Sequence, residues 1–211
     1  MKYNNLYIYP PRPKNKATED SIPNLLKLGF LPQPKLNGSC AFLSITGIPK
    51  ETKMMSRHKA PFSNTLLIEK DELNSLHRGT GTMVLTGEYM NKSQKDKNRK
   101  VFNGKFVIWD ILVYEGEHLV GTTYDERHAL LLSLYDYEYF DGWIGKISEN
   151  TYIDLNVEIN VTEAWKEIVQ IQMYEGFVFK KKEGKLGLGF NSNNNTGWQV
   201  KVRKPTRNYS Y

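Results

Sequence analysis

Lys35 sits in the run QPKLNGSC (33–40), after Pro32 and Pro34 and just before an Asn37-Gly38 pair. A lysine amine is nucleophilic only once it loses its proton, and nearby cations or burial favour that loss. The prolines force an extended entry into Lys35. A tight turn just after it would fix the amine's direction, and Gly38 would let a ligand's backbone or phosphate come close. Asn-Gly is also a common hairpin signal, so the tetrad alone is equally compatible with a plain surface turn. Further chemistry-bearing residues follow. Arg57 in MMSRHKAPF is a candidate phosphate clamp. Glu88 in LTGEYM and Glu175 in YEGFVFK are carboxylates beside glycine, of the kind that can hold a metal ion or a ribose hydroxyl. Lys180, Lys201 and Arg203 put cations on apolar strands. Residues 201 and 203 share a strand face at period two, so both can reach one phosphate.

The elements that must position these groups mix helices and strands without strict alternation. That argues for an α+β fold of largely antiparallel sheets with flanking helices. Strands are predicted over 40–46, 54–57, 83–90, 105–114, 176–182 and 198–204, with the turn 115–119 after the fourth. Helices are predicted over 21–30, 63–78, 124–137 and 160–174. The last has Asn160 as N-cap and Glu163 three residues on, as in a capping box. Residues 1–18, rich in Pro, Lys and Asn, read as an extended arm. The polar segment 91–105 carries Lys92, Lys95, Lys97, Arg99 and Lys100, a candidate nucleic-acid surface that also suits a solvated hairpin.

With 211 residues, 39% of them hydrophobic and 25% charged, the chain reads as one domain with a real core, neither disordered nor membrane-embedded. No apolar run approaches the ~18 residues of a spanning helix. The N-terminus lacks the apolar core of a signal peptide. Cys40 is the only cysteine, so no internal disulfide forms, which fits a cytosolic setting, the host's if the source is viral. A net charge of +6 suits phosphate-bearing partners and suits equally a soluble protein that is simply basic.

Taken in order, KLNG (35–38), SR (56–57), TGEYM (86–90), FVIWDIL (106–112), EGFVFK (175–180) and VKVRK (200–204) resemble the motifs of the covalent nucleotidyltransferase superfamily. That superfamily holds ATP-dependent DNA ligases, RNA ligases and mRNA capping enzymes. The stretch WDILVYEGEHLVGTTYDERHALL is particularly similar to the DNA-ligase version. The resemblance covers about residues 30–204. It implies a single nucleotidyltransferase domain in which Lys35 attacks the α-phosphate of ATP to form lysyl-AMP. The AMP then passes to a nucleic-acid 5′-phosphate, and a 3′-hydroxyl seals the break. It implies phosphate contacts from Arg57, Lys201 and Arg203 that keep Lys35 partly neutral, and a nucleotide-binding place for Asn37, Gly38 and Lys180. Glu88 would contact the ribose or tune Lys35. Glu175 would help bind Mg²⁺, with Mn²⁺ as a substitute. Trp109 would stack on adenine and Gln33 would pair with its edge.

Departures from the pattern bear on the branch. Asn37 stands where most DNA ligases carry Asp, Cys40 where they often have Arg, and Arg203 replaces a more usual lysine. Only seven residues follow Lys204, so no C-terminal OB-fold domain is expected. A monomer acting on a nicked duplex is the expectation, with an accessory protein as a substitute clamp. The 109–131 stretch favours DNA; Asn37 and the absent OB fold favour RNA. The alternatives are an RNA ligase, a GTP-using capping guanylyltransferase, and a non-catalytic nucleotide- or nucleic-acid-binding module.

Overall fold

Apolar residues fill nearly every position of KFVIWDILVY, as in a strand covered on both faces. In the computed structural model, which describes residues 1–62, 66–156 and 160–205, this run is the middle strand of the larger sheet. In chain order the elements begin β1 (Arg12–Ala17), α1 (Ile22–Lys27), β2 (Phe30–Leu36), β3 (Ser39–Ile45) and β4 (Lys53–Ser56). Then come α2 (Lys70–Asn74), β5 (Met83–Met90), β6 (Gln94–Lys95), β7 (Val101–Phe102), β8 (Lys105–Tyr114) and β9 (Glu117–His118). The remainder are α3 (Tyr124–Leu134), β10 (Glu138–Tyr139), β11 (Ile144–Lys146), β12 (Thr151–Asp154), α4 (Val161–Ile168), β13 (Tyr174–Lys181) and β14 (Asn195–Arg203).

Two sheets carry the molecule. One runs β1-β14-β13-β2 and the other β10-β11-β12-β8-β5-β3-β4, with β9 on β8. The pairs are antiparallel except β1 with β14 and β12 with β8. A parallel pair needs a long crossover, and the chain between β8 and β12 supplies one through α3. On the smaller sheet, Phe177, Phe179, Val200 and Val202 join one apolar cluster with α1 and α4. On the larger, Leu43, Leu85 and Ile108 join a second with Leu73 of α2 and Leu131 of α3.

The fold class follows the sequence expectation, with several corrections in detail. The extended arm expected over 1–18 is built into the fold: 12–17 form β1, and Ile8 is fully buried against Phe42, Val84 and Leu112. Of the helix expected over 63–78, the described residues form only α2, and 63–65 lie outside them. The helix expected to reach 174 stops at Ile168. Asn160 does cap it, accepting from the Glu163 amide, but the Glu163 carboxylate turns to Lys166. A reciprocal capping box exists instead at Thr123 and Glu126, at the start of α3. The short strands β10, β11 and β12 carry no clear alternation and were not expected.

A buried ion pair fastens α3 to the larger sheet. Arg127 donates to both carboxylate oxygens of Asp110 on β8, at 2.8 and 3.1 Å, and to the Thr122 carbonyl at 2.7 Å. Both side chains are almost wholly buried. Removing one partner leaves the other charge uncompensated, which typically costs about 3–5 kcal/mol. Arg127→Met is therefore expected to lower unfolding free energy by that order in a urea titration, and Asp110→Asn,Arg127→Met should recover much of the loss.

Candidate active site

β2 and β3 belong to different sheets: β2 pairs with β13, and β3 with β4 and β5. Asn37-Gly38 is therefore the corner at which the chain crosses between sheets, not a hairpin turn. Around this corner lies a cavity of about 380 Å³ lined from both sheets, with Lys35 in its wall.

Strand periodicity aims the side chains. On β14, Gln199, Lys201 and Arg203 line the cavity while Val200 and Val202 face the apolar cluster. On β13, Val178 and Lys180 line it while Phe177 and Phe179 are core. Glu175 is out of phase with 178 and 180. A β-bulge between Tyr174 and Gly176 re-aims it into the cavity. Gly176 makes this possible: its φ is +130°, and a Cβ there would lie 2.2 Å from the Val202 carbonyl oxygen. Gly176 pairs with Lys35 across the strands. The result is a contact of 2.5 Å in which Lys35 Nζ donates to Glu175 Oε2, with Arg203 Nη2 3.4 Å from the same oxygen. The carboxylate that touches the amine is thus Glu175, expected as a metal ligand, rather than Glu88, expected to tune Lys35.

Glu88 comes from β5 and is buried. Burial pushes its carboxyl up to about 7; the Lys35 charge opposes this, Glu175 adds to it, and the Gly38 N–H, donating to Oε1 at 3.0 Å, opposes it again. Gly38 was expected to make room for a ligand. The room it makes is for β5: a Cβ would lie 2.5 Å from Tyr89 O and 2.9 Å from Glu88 Cγ. Asn37 donates its backbone N–H to Met173 O and, unlike Lys35, Leu36 and Gly38, does not line the cavity.

Cations also line the cavity. Lys201 is held below the usual lysine range by burial, then by Arg203, Lys16, Lys35 and Arg12. Arg57 is exposed on the rim, its Nε 3.1 Å from His58 Nε2. Cys40 lies beneath it with its thiol pushed up to about 12 by burial, which makes it inert as a nucleophile.

Trp109 is half-buried in the cavity wall and belongs to none of the three apolar clusters, so it is not a core tryptophan. Gln33 lines the same region, but its amide nitrogen is engaged: Nε2 donates to Asp154 Oδ2 at 2.7 Å and lies 3.4 Å from the Tyr124 hydroxyl. The side-chain atom left for a ligand is the carbonyl oxygen. Lys180 is buried, 4.4 Å over the Tyr124 ring, with its ammonium destabilised by burial and supported by Asp110 and Asp154. It lines the cavity from a buried position. Among the described residues no group of three or more His, Cys, Asp or Glu forms a metal cage. Glu175 and Glu88 nonetheless offer hard oxygens beside Lys35. A cation completed by phosphate oxygens and water, as Mg²⁺ accepts, fits that donor set.

Lys95, Lys97, Arg99 and Lys100 are exposed on the β6–β7 hairpin, which is tied down by Asp96 accepting from Asn98 and Lys100 amides. Lys92, at its base, is close enough to act on Glu88. Sequence reasoning missed Arg12, His58 and Gln199 in the cavity wall and Asp154 and Tyr124 behind it. Gln199 alone had a signal, its period-two relation to 201 and 203.

Solved structures share this arrangement of sheets. Mycobacterial DNA ligase D complexed with ATP and MES superposes with a TM-score of 0.62 at 16% identity, covering 96% of this chain and 62% of that one. The ligase domain of M. tuberculosis LigD gives 0.61 at 16%, covering 93% and 59%. This chain shares the fold of DNA ligase domains. It spans about three fifths of the length of these ligase structures. No family model and no curated protein sequence matches the chain. The ordered motifs agree with this ligase-type nucleotidyltransferase fold.

The raised Glu88 carboxyl has a thermodynamic sign. Between its ordinary 4.5 and about 7, the folded state holds a proton the unfolded chain has lost, so stability falls as pH rises through that window. Glu88→Gln is expected to be more stable than wild type at pH 8, by on the order of 3 kcal/mol, and no more stable at pH 4. Thermal melts at the two pH values check this. Gly38→Ala is expected to destabilise by roughly 1–3 kcal/mol through overpacking, read in the same melts.

Proposed function

We propose that this chain is the nucleotidyl-transferring domain of an ATP-dependent polynucleotide ligase, acting on breaks that carry a 5′-phosphate and a 3′-hydroxyl, with DNA favoured over RNA. The observation that carries the reading is Lys35 in the wall of a cavity lined by Glu88, Glu175, Lys201 and Arg203. A nucleophile, two carboxylates and a cationic strand around one amine suit transfer to phosphorus, where positioning and charge neutralisation supply most of the rate. The likeness to DNA ligase domains supports the same class.

In this mechanism the triphosphate draws Lys201, Arg203 and Arg57 to its oxygens. Lys35 Nζ leaves Glu175, gives its proton to solvent water, and forms a P–N bond to the α-phosphorus while the bond to the bridging oxygen breaks and pyrophosphate departs. Bound Mg²⁺, held in part by Glu175, would supply neutralisation of the phosphate charge. A 5′-phosphate oxygen then displaces lysine to form a pyrophosphate-linked AMP. Finally a 3′-hydroxyl attacks that 5′-phosphorus and AMP leaves. The Gln33 carbonyl, held towards the ligand by the engagement of its amide nitrogen, accepts from an amino group. Adenine offers one at position 6; guanine offers a carbonyl there, which would be repelled. Trp109 supplies a face for the base. The basic β6–β7 hairpin contacts the strand backbone.

The test is covalent labelling. With Mg²⁺, α-labelled ATP is expected to tag the wild-type protein, GTP is not, and Lys35→Ala is expected to lose the tag completely. Nicked duplexes with DNA or RNA on each side of the break then identify the strand. Tagging by GTP alone would mark a capping-type enzyme, and no tag from either nucleotide would end the enzymatic reading.

A further inference from the structure

The N-terminal strand contributes a cation to the cavity that none of the six motifs contains. Pro11, Arg12 and Pro13 line it together with Lys35, Arg57 and Lys201. A residue before proline is held extended, and Arg12 lies between two prolines. Its backbone is fastened on both sides. Tyr9 donates its N–H to Gly189 O at 2.7 Å and accepts from Asn194 Nδ2 at 2.6 Å. Arg12 itself donates its N–H to Asn194 O at 2.9 Å and accepts from Thr196 Oγ1 at 3.3 Å. Upstream, Ile8 is buried in the larger sheet and the Tyr7 hydroxyl donates to Ser56 O, one residue before Arg57. The segment is a strap that joins both sheets across one side of the cavity. Among the described residues, no carboxylate pairs with the Arg12 guanidinium, although its backbone is fixed. Its charge reaches Lys201 and, with that of Arg57, Cys40.

Resting on the ligase reading above, we propose that Arg12 and Arg57 form a second phosphate site on the outer side of Lys35, distinct from the α-phosphate position. Two arginines carried by different sheets suit a phosphate that carries more than one free oxygen, because each guanidinium can bond two of them. Two phosphates have this chemistry: the β,γ-phosphates of the nucleotide, and the terminal 5′-phosphate of the strand to be joined. Arg12 and Arg57 would only bind and orient either group; the bonds made and broken are those of the three steps given above.

The experiment compares wild type, Arg12→Ala, Arg12→Lys and Lys14→Ala, the last removing a charge from the same strand at an exposed position outside the cavity wall. Three rates are read: tagging by ATP, pyrophosphate-driven loss of the tag, and sealing of a nick that already carries 5′-adenylate. A fourth reading is transfer of AMP from tagged protein to a 5′-phosphorylated nick. If the site holds the nucleotide's outer phosphates, Arg12→Ala slows tagging and raises the pyrophosphate concentration for half-maximal tag loss, each at least about tenfold. If it holds the strand phosphate, tagging is unchanged and AMP transfer falls by a similar factor. In either case Arg12→Lys recovers part of the loss and Lys14→Ala behaves as wild type. Arg12→Ala equal to wild type in every step, with wild type active, overturns the inference and leaves the ligase reading standing. Equal losses in Lys14→Ala also overturn it, by showing a general charge effect. A wild type that takes no tag removes the ligase reading itself.

Discussion

The contact between Lys35 and Glu175 is the point on which the arrangement of the cavity turns. It exists because β2 and β13 are hydrogen-bonded neighbours, because the bulge at Tyr174–Gly176 turns one residue over, and because Gly176 tolerates the backbone that the bulge needs. The pair adds little to stability. Its side chains are 19% and 28% exposed, and pairs of that kind contribute at most about 1 kcal/mol. That weakness suits the chemistry. An amine held strongly by its carboxylate would be lost as a nucleophile, whereas one held weakly is positioned yet can be exchanged when phosphate oxygens and a divalent cation compete for both partners.

The corner at Asn37-Gly38 sets the second constraint. The chain leaves one sheet and enters the other within two residues, and Gly38 must pass against β5 closely enough that any side chain would collide with Tyr89 and Glu88. The Gly38 N–H then bonds the Glu88 carboxylate, so the same close approach that joins the sheets also places an acid beside Lys35. Packing and chemistry are here one geometric requirement, which explains a glycine directly after a polar turn residue without invoking a ligand.

Much of this was legible from the residues. The strands 83–90 and 105–114 have long apolar runs, and the structure places them where expected. Lys35, Glu88, Glu175, Lys201 and Arg203 meet in one cavity because the ordered motifs record residues whose positions are set by strand pairing. What stayed hidden depends on non-local contacts. Nothing in PPRPKNKA signals a strand, because β1 is held by parallel pairing with a segment some 180 residues away. The strands between 138 and 154 are two to four residues long, too short for alternation to show. A helix over 63–78 looked plausible from its leucine spacing, yet Leu73 and Leu76 reach the core from a helix of five residues and the loop after it. Local periodicity reports only that a residue is buried, not which element buries it.

Around the back of the cavity, Asp110, Arg127, Asp154 and Lys180 bury two acidic and two basic side chains, and burial raises the Asp154 carboxyl to about 7 and lowers the Lys180 amine to about 8. Burial of such groups is unfavourable, and apolar replacements of similar volume are often as stable or more so. The cluster is therefore poorly explained by stability. It is better explained by what it orients. The Asn156 amide fits its neighbours with its oxygen accepting from the Tyr124 hydroxyl at 2.7 Å and its nitrogen donating to Asp154 Oδ2 at 3.0 Å and Pro32 O at 3.2 Å. Asp154 in turn takes the Gln33 amide. Donor and acceptor roles pass along this chain from one group to the next, which restricts the arrangements open to it, although Asp154 Oδ1 is itself buried without a hydrogen-bond partner among the described residues. Its last member, Gln33, is two residues from Lys35 on the same strand face. Whatever fixes the amide of Gln33 thereby fixes which hydrogen-bonding pattern the cavity presents next to Lys35.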